Sequence, residues 1–396
     1  MRITHLCLAC FFPDGFSYQE NMLPKYHRKL GHEVRVIASL QSFDKNGRTV
    51  YLEPRGEYRN EHDVRVLRLP YAVPVRVNRK LRRYRGLTEA LEQASPEILF
   101  IHGCQFADMK QVVGYLKSHS GVRVFVDNHA DYGNSAQGWI SMKLLHRQLW
   151  RRCARMIEPY AQCFYGVTPA RVSFLTEVYG IPADRVRLLV MGADDDEVQK
   201  ALEPAVRASL RERFGVGPET LLLVSGGKIN AMKRHTLDLM KAVNQIADPR
   251  LKLVVFGSVE DALKLEYEAQ LSDLVKSAGW IPSAEAYSYF AAADLVVFPG
   301  SHSVLWEQAA GMGKPLLCNQ WPGVSHLDQG GNVLFLSNCS DAAFCKTLRG
   351  FLDDPDLLRR MKLAAEGPAR AIFSYRDIAA RSILPASATP TSKGSV

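Results

Sequence analysis

The 396-residue chain contains no apolar run approaching the ~20 residues that a membrane-spanning helix requires. Its eight cysteines (7, 10, 104, 153, 163, 318, 339 and 345) are scattered. Cys7-Leu-Ala-Cys10 has metal-like spacing, but no second Cys or His pair matches it at zinc-site distance, so the thiols read as buried, reduced core residues and no metal is expected. A Gly-x4-Gly-Lys-Ser/Thr phosphate loop is missing. So are a zinc-finger pattern and an interleaved aromatic platform, which argues against a nucleic-acid partner. Met1 to Phe12 is apolar but short and is closed at once by Pro13-Asp14-Gly15. It lacks the longer core and small-residue cleavage site of a secretory signal, so it reads as a first strand and a cytoplasmic location is expected. With 47% hydrophobic, 23% charged and 9% aromatic residues, the composition excludes a disordered chain, a coiled coil or a collagen-like fibre.

What is present first is charge, unevenly spread. The net charge of +9 divides into +11 over residues 1–190 and −2 over residues 191–396. The densest run is Arg76-Val-Asn-Arg79-Lys80-Leu-Arg82-Arg83-Tyr-Arg85. A second spans Lys143 to Arg155, where Met142, Leu145, Leu149, Cys153 and Met156 recur at helical spacing. Such runs are compatible with a solvated helix face and with attraction to anionic lipid headgroups or anionic substrates, at roughly 1 kcal/mol per basic residue near an anionic membrane.

Strand–helix alternation is the second feature. Arg2–Phe12 reads as a strand, Tyr18–Gly31 as a helix and Val34–Ala38 as a strand. Further strands are read at Val64–Leu69, Glu97–Ile101, Val122–Val126, Cys163–Val167 and Val186–Val190. The series begins again with Thr220–Ser225, a helix at Thr236–Ala247, a strand at Leu251–Phe256, a helix at Leu263–Ala278, and strands at Asp294–Phe298, Pro315–Cys318 and Asn332–Leu336. Apolar runs of this kind belong to parallel sheets covered on both faces. Two series predict an α/β chain of two Rossmann-like, doubly wound domains, at 1–190 and 191–370. A helix over 371–384 is expected to pack back on the first domain, and a disordered tail is expected over 385–396. Ligands of such folds bind at the carboxyl ends of strands, so the residues after each strand matter most.

After Ser225 comes Gly226-Gly227-Lys228, then Lys233 ahead of a helix. Glycines admit close backbone approach, and lysines with a helix start favour phosphate; a glycine turn with two surface lysines is the plainer reading. After Phe298 come Pro299-Gly300-Ser301-His302-Ser303-Val304-Leu305-Trp306-Glu307. Glu307, early in the next helix, suits either a ribose diol or the helix dipole. His129 follows the strand ending at Val126 and suits either a ligand contact or a structural hydrogen bond; His102 is a weaker candidate of the same kind. Asp194-Asp195-Asp196-Glu197 reads as an N-cap and acidic first turn rather than as a metal–diphosphate site.

Four segments together resemble the GT-B glycosyltransferases of family 4, which are retaining and nucleotide-sugar dependent. Pro13-Asp14-Gly15 with Gly31-His32-Glu33-Val34 is similar to the family's glycine loop and helix-to-strand turn. Met191-Gly192-Ala193-Asp194 is similar to its linker turn. Lys228 and Lys233 have the spacing of its phosphate-binding Arg and Lys, and residues 299–313 are similar to its Glu-x7-Glu segment. The resemblance implies that Gly15 and Gly227 approach the donor diphosphate and that Lys228 and Lys233 hold it and stabilise the leaving group. It implies that Ile281 meets the base, that Ser303, Val304 and Leu305 lend backbone amides near the phosphates, and that Glu307 binds ribose. His302 or Ser303 stands where the sugar-contacting part falls, and His129 faces the donor sugar. The segment departs from the family where its first Glu would be, which is Pro299, and Lys replaces Arg at 228.

The reaction implied is transfer of a sugar, with retention, from a nucleotide-diphosphate donor, UDP-linked first, to a glycan or lipid-linked acceptor in bacterial surface polysaccharide synthesis. It calls for no cofactor and no metal, since lysines and a helix terminus counter the diphosphate. Arg76, Arg79, Lys80, Arg82, Arg83 and Arg85 would form an acceptor-side or membrane-facing patch of a protein peripheral to the inner membrane. A nucleotide-sugar 2-epimerase of the same architecture and a non-catalytic scaffold are the alternatives.

Overall fold

The computed structural model describes residues 1–43, 49–54, 56–133, 135–136 and 138–384. The tail 385–396, read from the sequence as disordered, lies outside the described residues. The chain forms two compact units. One comprises residues 1–190 and the described chain from 376 to 384, and the other Met191–Tyr375.

The first unit is built on strands β1 (Arg2–Cys7), β2 (Glu33–Ala38), β3 (Gln41–Phe43), β4 (Thr49–Tyr51), β5 (Tyr58–Arg59), β6 (Arg65–Arg68), β7 (Ile98–His102), β8 (Arg123–Asn128), β9 (Ala161–Gly166) and β10 (Val186–Leu188). Eight of them form one sheet in the order β10-β9-β8-β7-β1-β2-β6-β5, parallel except at the short β5 edge. β3 and β4 pair separately as an antiparallel hairpin that periodicity did not reveal. Residues on alternate sides of the sheet enter different cores. Leu6, Ile37, Leu99 and Val126 pack on one side. Cys7, Val34, Val36 and Val66 pack on the other. Both faces are therefore covered, which is why the strands read as continuous apolar runs.

The second unit carries β11 (Leu221–Gly226), β12 (Leu251–Phe256), β13 (Val275–Gly279), β14 (Leu295–Phe298), β15 (Leu316–Asn319) and β16 (Val333–Leu336), in the order β13-β12-β11-β14-β15-β16. All of its pairings are parallel. One expectation is corrected here. The single helix read over Leu263–Ala278 is a short helix, Lys264–Glu268, followed by strand β13. Ser272 makes the turn between them: its Oγ accepts from the amides of Leu274 and Val275. A side chain that bonds its own local backbone competes with helix continuation.

Each sheet reverses its strand order once. In the first unit the reversal lies between β1 and β7, and in the second between β11 and β14. The crevice at the carboxyl ends of such neighbouring strands is where open α/β sheets bind ligands.

Candidate functional site

In the second unit the reversal brings together Gly226-Gly227-Lys228 after β11 and Pro299-Gly300 after β14. Backbone approach here is so close that only glycine fits. A Cβ on Gly226 would lie 2.1 Å from the Phe256 ring, and one on Gly257 would lie 2.0 Å from the Gly227 carbonyl oxygen. Gly227 has φ +119°, a left-handed conformation that glycine adopts without strain. Lys233 closes a short turn, Ala231–Lys233, capped by the Asn230 side chain, which accepts from the Met232 amide. Its stem runs against Gly300, where a Cβ would come within 2.7 Å of Lys233 Cγ. Its Nζ reaches to 3.5 Å from the position of a Cβ on Gly227, as does Leu305 Cδ1. Gly227, Lys233, Gly300 and Leu305 are thus neighbours. No carboxylate is paired with Lys233 among the described residues. Burial alone lowers its pKa. Lys228 is exposed.

Ser303, Val304 and Leu305 open the helix Leu305–Gly311, with Val304 at its N-cap. Ser303 Oγ is buried and has no hydrogen-bond partner among the described residues. Glu307 lies in the first turn of that helix, as expected. It is fully enclosed, and its Oε1 accepts from His302 Nε2 at 2.8 Å and from His326 Nε2 at 3.0 Å. Both histidines take Oε1, while Oε2 has no partner among the described residues, and His302 stands nearer the surface than Glu307. Burial pushes the Glu307 carboxyl up, but the two histidines outweigh it and hold the carboxyl down at about 2. His326 carried no sequence signal: it is 19 residues from its partner. Ile281 follows β13 and is half-buried, beside the exposed Trp280. It shares the carboxyl-end side of the sheet with Gly227 and Gly300, because these strands run parallel; Gly257 after β12 donates to the carbonyl of Gly279, the last residue of β13.

A cavity of about 350 Å³ lies elsewhere in this unit, lined by Arg207, Asp294, Lys314 and Lys362 among others. It borders the amino ends of β14 and β15. Arg207 and Lys314 are spent on the carbonyls of Ala291 to Ala293, at the end of the helix Ala286–Ala292. Arg211 and Arg207 also hold Asp294 at 2.9 and 2.7 Å. Cations at a helix C-terminus complement its dipole, so this cluster reads as structural. Asp194 likewise serves as N-cap of the helix Asp195–Ala201, accepting from the Asp196 amide.

In the first unit, Pro13-Asp14-Gly15 follows β1. Arg68, almost wholly buried, donates to the carbonyls of Phe12 and Ser39 and lies 3.4 Å from Asp14 Oδ2. Sequence reading missed this anchor, because an arginine inside an apolar strand looks like a surface residue. Gly15 is exposed, with φ +77°, and its amide donates to Glu61 Oε1 at 2.8 Å. The amide implied for a diphosphate is therefore occupied by a carboxylate. His129, after β8, has its Nε2 3.3 Å from Asp127 Oδ2 and 3.9 Å from Glu20 Oε1. His102, the last residue of β7, donates from Nδ1 to the same Asp127 oxygen at 2.8 Å. Among the described residues, His102, Asp127 and His129 form the one group whose ligand atoms lie close enough for a metal ion. Both His102 nitrogens are already hydrogen-bonded within the protein, so the group reads as a proton-sharing cluster.

The basic patch is only partly available. Arg82 donates to the Gln105 carbonyl, Arg83 pairs with Asp108 at 3.2 Å, and Arg79 donates to Tyr51 Oη. Arg76, Lys80 and Arg85 are exposed. The second run forms the helical stretch Ser141–Ile157, whose first ten residues are a π-helix. At its head Trp139 is 68% and Ile140 63% exposed, next to Lys143, Leu144 and Arg147. No helix among the described residues is long and apolar enough to cross a membrane.

Two family models match the chain: a glycosyl transferase 4-like domain over residues 21–192 and a glycosyl transferase-like domain over residues 234–383. A D-inositol 3-phosphate glycosyltransferase of Pseudarthrobacter chlorophenolicus is 26% identical over 201 residues, which cover 48% of this chain and 47% of the relative. The chain thus matches about half the length of such curated relatives. Among solved structures, Anabaena HepE in complex with UDP superposes with a TM-score of 0.65 at 15% identity, over 96% of this chain and 98% of that one. A glycosyltransferase from Rickettsia africae superposes with a TM-score of 0.66 at 13% identity, over 96% of each chain. These likenesses confirm two Rossmann-like α/β units. The two family models cover most of the chain in order, and the chain belongs to the GT-B glycosyltransferases of family 4.

Proposed function

We propose that the protein transfers a glycosyl group, with retention, from a nucleotide-diphosphate sugar to an anionic acceptor, with a UDP-sugar as first choice of donor. The observation that carries this reading is Lys233, a half-buried cation without a carboxylate partner among the described residues, set between two glycines where the strand order of its sheet reverses. A cation kept desolvated and unpaired costs stability, and an incoming diphosphate offsets that cost. When the bond from the anomeric carbon to the diphosphate oxygen breaks, the leaving oxygen gains charge and the acceptor oxygen forms the new bond as it loses its proton. Lys233, Lys228 and the amides of Ser303 to Leu305 are preorganised for that developing charge, and such groups act on the transition state more than on the ground state. With those charges in place the reaction needs no metal.

UDP is favoured because the solved neighbours include HepE with UDP and with UDP-glucose. For the acceptor, the +11 over residues 1–190 fits either a lipid-linked glycan at an anionic bilayer or a phosphorylated polyol, the substrate in the name of the inositol phosphate relatives. The test of the donor is thermal stability in the presence of UDP, GDP, ADP and CMP. A ligand at 100 times its dissociation constant stabilises by roughly 2.7 kcal/mol, a shift of a few degrees at this size. The expected outcome is a shift with UDP that disappears in Lys233→Ala. No shift with any nucleotide would overturn the reading in favour of a scaffold.

A further inference from the structure

Three buried histidines of the first unit form a continuous chain. His27 Nε2 lies 3.0 Å from the Ala379 carbonyl oxygen, in the helix Tyr375–Ser382, and 3.1 Å from Ser382 Oγ. His27 Nδ1 lies 3.0 Å from His5 Nε2, His5 Nδ1 lies 3.0 Å from His102 Nε2, and His102 Nδ1 lies 2.8 Å from Asp127 Oδ2. All three rings are fully enclosed.

The chain can be counted in protons. The Asp127 carboxylate and the Ala379 carbonyl only accept, and the Ser382 hydroxyl, which could otherwise donate to His27, donates to the Ala379 carbonyl at 2.9 Å. With the Ser382 hydrogen spent there, four links need four N–H groups and three neutral imidazoles supply three. In that arrangement the rings hold one excess proton. Electrostatics decides which ring holds it. His102 touches the carboxylate, whereas among the described residues His5 and His27 have no carboxylate contact. Burial lowers His102, but Asp127, Cys7 and Glu20 outweigh it, and its pKa rises to about 9. Burial and then the neighbouring histidines put His5 well below its ordinary value. Burial, against the bond to Ala379, takes His27 to about 3. A neutral chain would either leave one link with two facing lone pairs or turn the Ser382 hydroxyl from Ala379 to His27, setting the Nε2 lone pair against the Ala379 carbonyl oxygen at 3.0 Å; an unmade buried hydrogen bond of this kind costs about 1–3 kcal/mol.

Asp127 Oδ2 faces a second imidazole, that of His129 at 3.3 Å, so two rings share one carboxylate oxygen. The other charged groups around His129 are Glu20 and Arg171. We propose that His102 is a standing imidazolium and a positioning residue for His129, holding Asp127 so that its charge is already shared when His129 takes or gives a proton. The excess proton follows from the hydrogen-bond count with the Ser382 hydroxyl donating to Ala379, and its place on His102 from the contact with Asp127. The consequence for catalysis rests on the reading of His129 as part of the reaction site.

The experiment uses the full-length protein without donor or acceptor, so its failure is distinct from failure of the donor reading. Side-chain ¹⁵N NMR of histidine-labelled protein at pH 7.5 should show one buried ring with both nitrogens protonated, absent from His102→Gln. In that variant the titration midpoint of His129 should rise by about one pH unit, because His129 becomes the sole imidazole at Asp127. If His102→Gln does not fold, the wild type still decides. The His129 signal should then show a second inflection near pH 9, where His102 gives up its proton. Only neutral buried rings at pH 7.5, or a His129 titration that ignores His102, would overturn the proposal.

Discussion

The Glu307 carboxylate and the His302 imidazole meet at 2.8 Å, with Glu307 fully enclosed and its Oε2 without a partner among the described residues. The folded pKa is depressed to about 2, so the stabilisation is present above the unfolded value near 4.5 and is lost as pH falls through about 2. The difference corresponds to stability on the order of 3 kcal/mol. Glu307→Gln should therefore be destabilised relative to wild type at pH 7, with the gap narrowing between pH 4.5 and pH 2. Urea midpoints across that range test it. A gap that is constant with pH contradicts the assignment.

Lys233 gives the opposite stability signature. It pairs with no carboxylate, so its removal orphans nothing, and burial lowers its pKa, which means its charged form is favoured in the unfolded chain. Lys233→Ala should be as stable as wild type at pH 7, or slightly more so, while turnover falls about 10²-fold or more, the scale of losing one preorganised group at a developing charge. Parallel denaturation and turnover assays check this. A variant both unstable and inactive would make Lys233 structural.

Two glycines separate steric from conformational cost. Gly257→Ala places a Cβ 2.0 Å from the Gly227 carbonyl oxygen at φ +127°, whereas Gly15→Ala meets open space and suffers only from φ +77°. The left-handed cost alone is roughly 1–2 kcal/mol. Gly15→Ala should stay within that range. Gly257→Ala should exceed it and weaken nucleotide binding as well, since the Gly227 turn must move. Calorimetry on both variants with the same nucleotide decides the point.

The legibility of the chain follows the same division between local and tertiary causes. Strands β1, β2, β7, β8, β11, β12 and β14 were readable because burial on both faces leaves apolar runs such as Ile98–Ile101 and Leu295–Phe298. Strand β13 was not, because its Val275-Lys276-Ser277-Ala278 carries no such run. At the site, Lys233 was marked by its spacing from two glycines. The enclosure of Glu307 was not, since His326 arrives from a different loop. Likewise His5, His27 and His102 meet only because β1, β7 and the helix Gln19–Lys29 pack together; nothing in their spacing of 22 and 97 residues foretells a hydrogen bond.

Asp294 provides a control remote from the strand ends that carry the glycines. It accepts from Arg211, Arg207 and the Leu222 amide. Asp294→Ala strands two guanidinium groups, and breaking a buried pair typically costs 3–5 kcal/mol. Arg207 is partly exposed, so the lower end applies. The melting temperature should fall while the affinity of the folded protein for nucleotide stays unchanged, as isothermal titration below the transition would show.

The membrane reading is narrowed by which cations are uncommitted. Arg82 and Arg83 are engaged by Gln105 and Asp108, so neutralising them would disturb the fold as well as the surface charge. Arg76, Lys80 and Arg85 are exposed. At roughly 1 kcal/mol each near an anionic bilayer, replacing all three with Gln should weaken binding to phosphatidylglycerol vesicles by on the order of 100-fold, and added salt should mimic the change. Trp139 and Ile140 are apolar and uncharged. If they enter the interface, Trp139→Ala should weaken vesicle binding by an amount that salt leaves unchanged. Vesicle flotation of the three proteins at two ionic strengths separates the contributions. Wild-type protein that stays unbound at low salt would remove the bilayer from consideration and leave a soluble phosphorylated acceptor as the use of the basic surface.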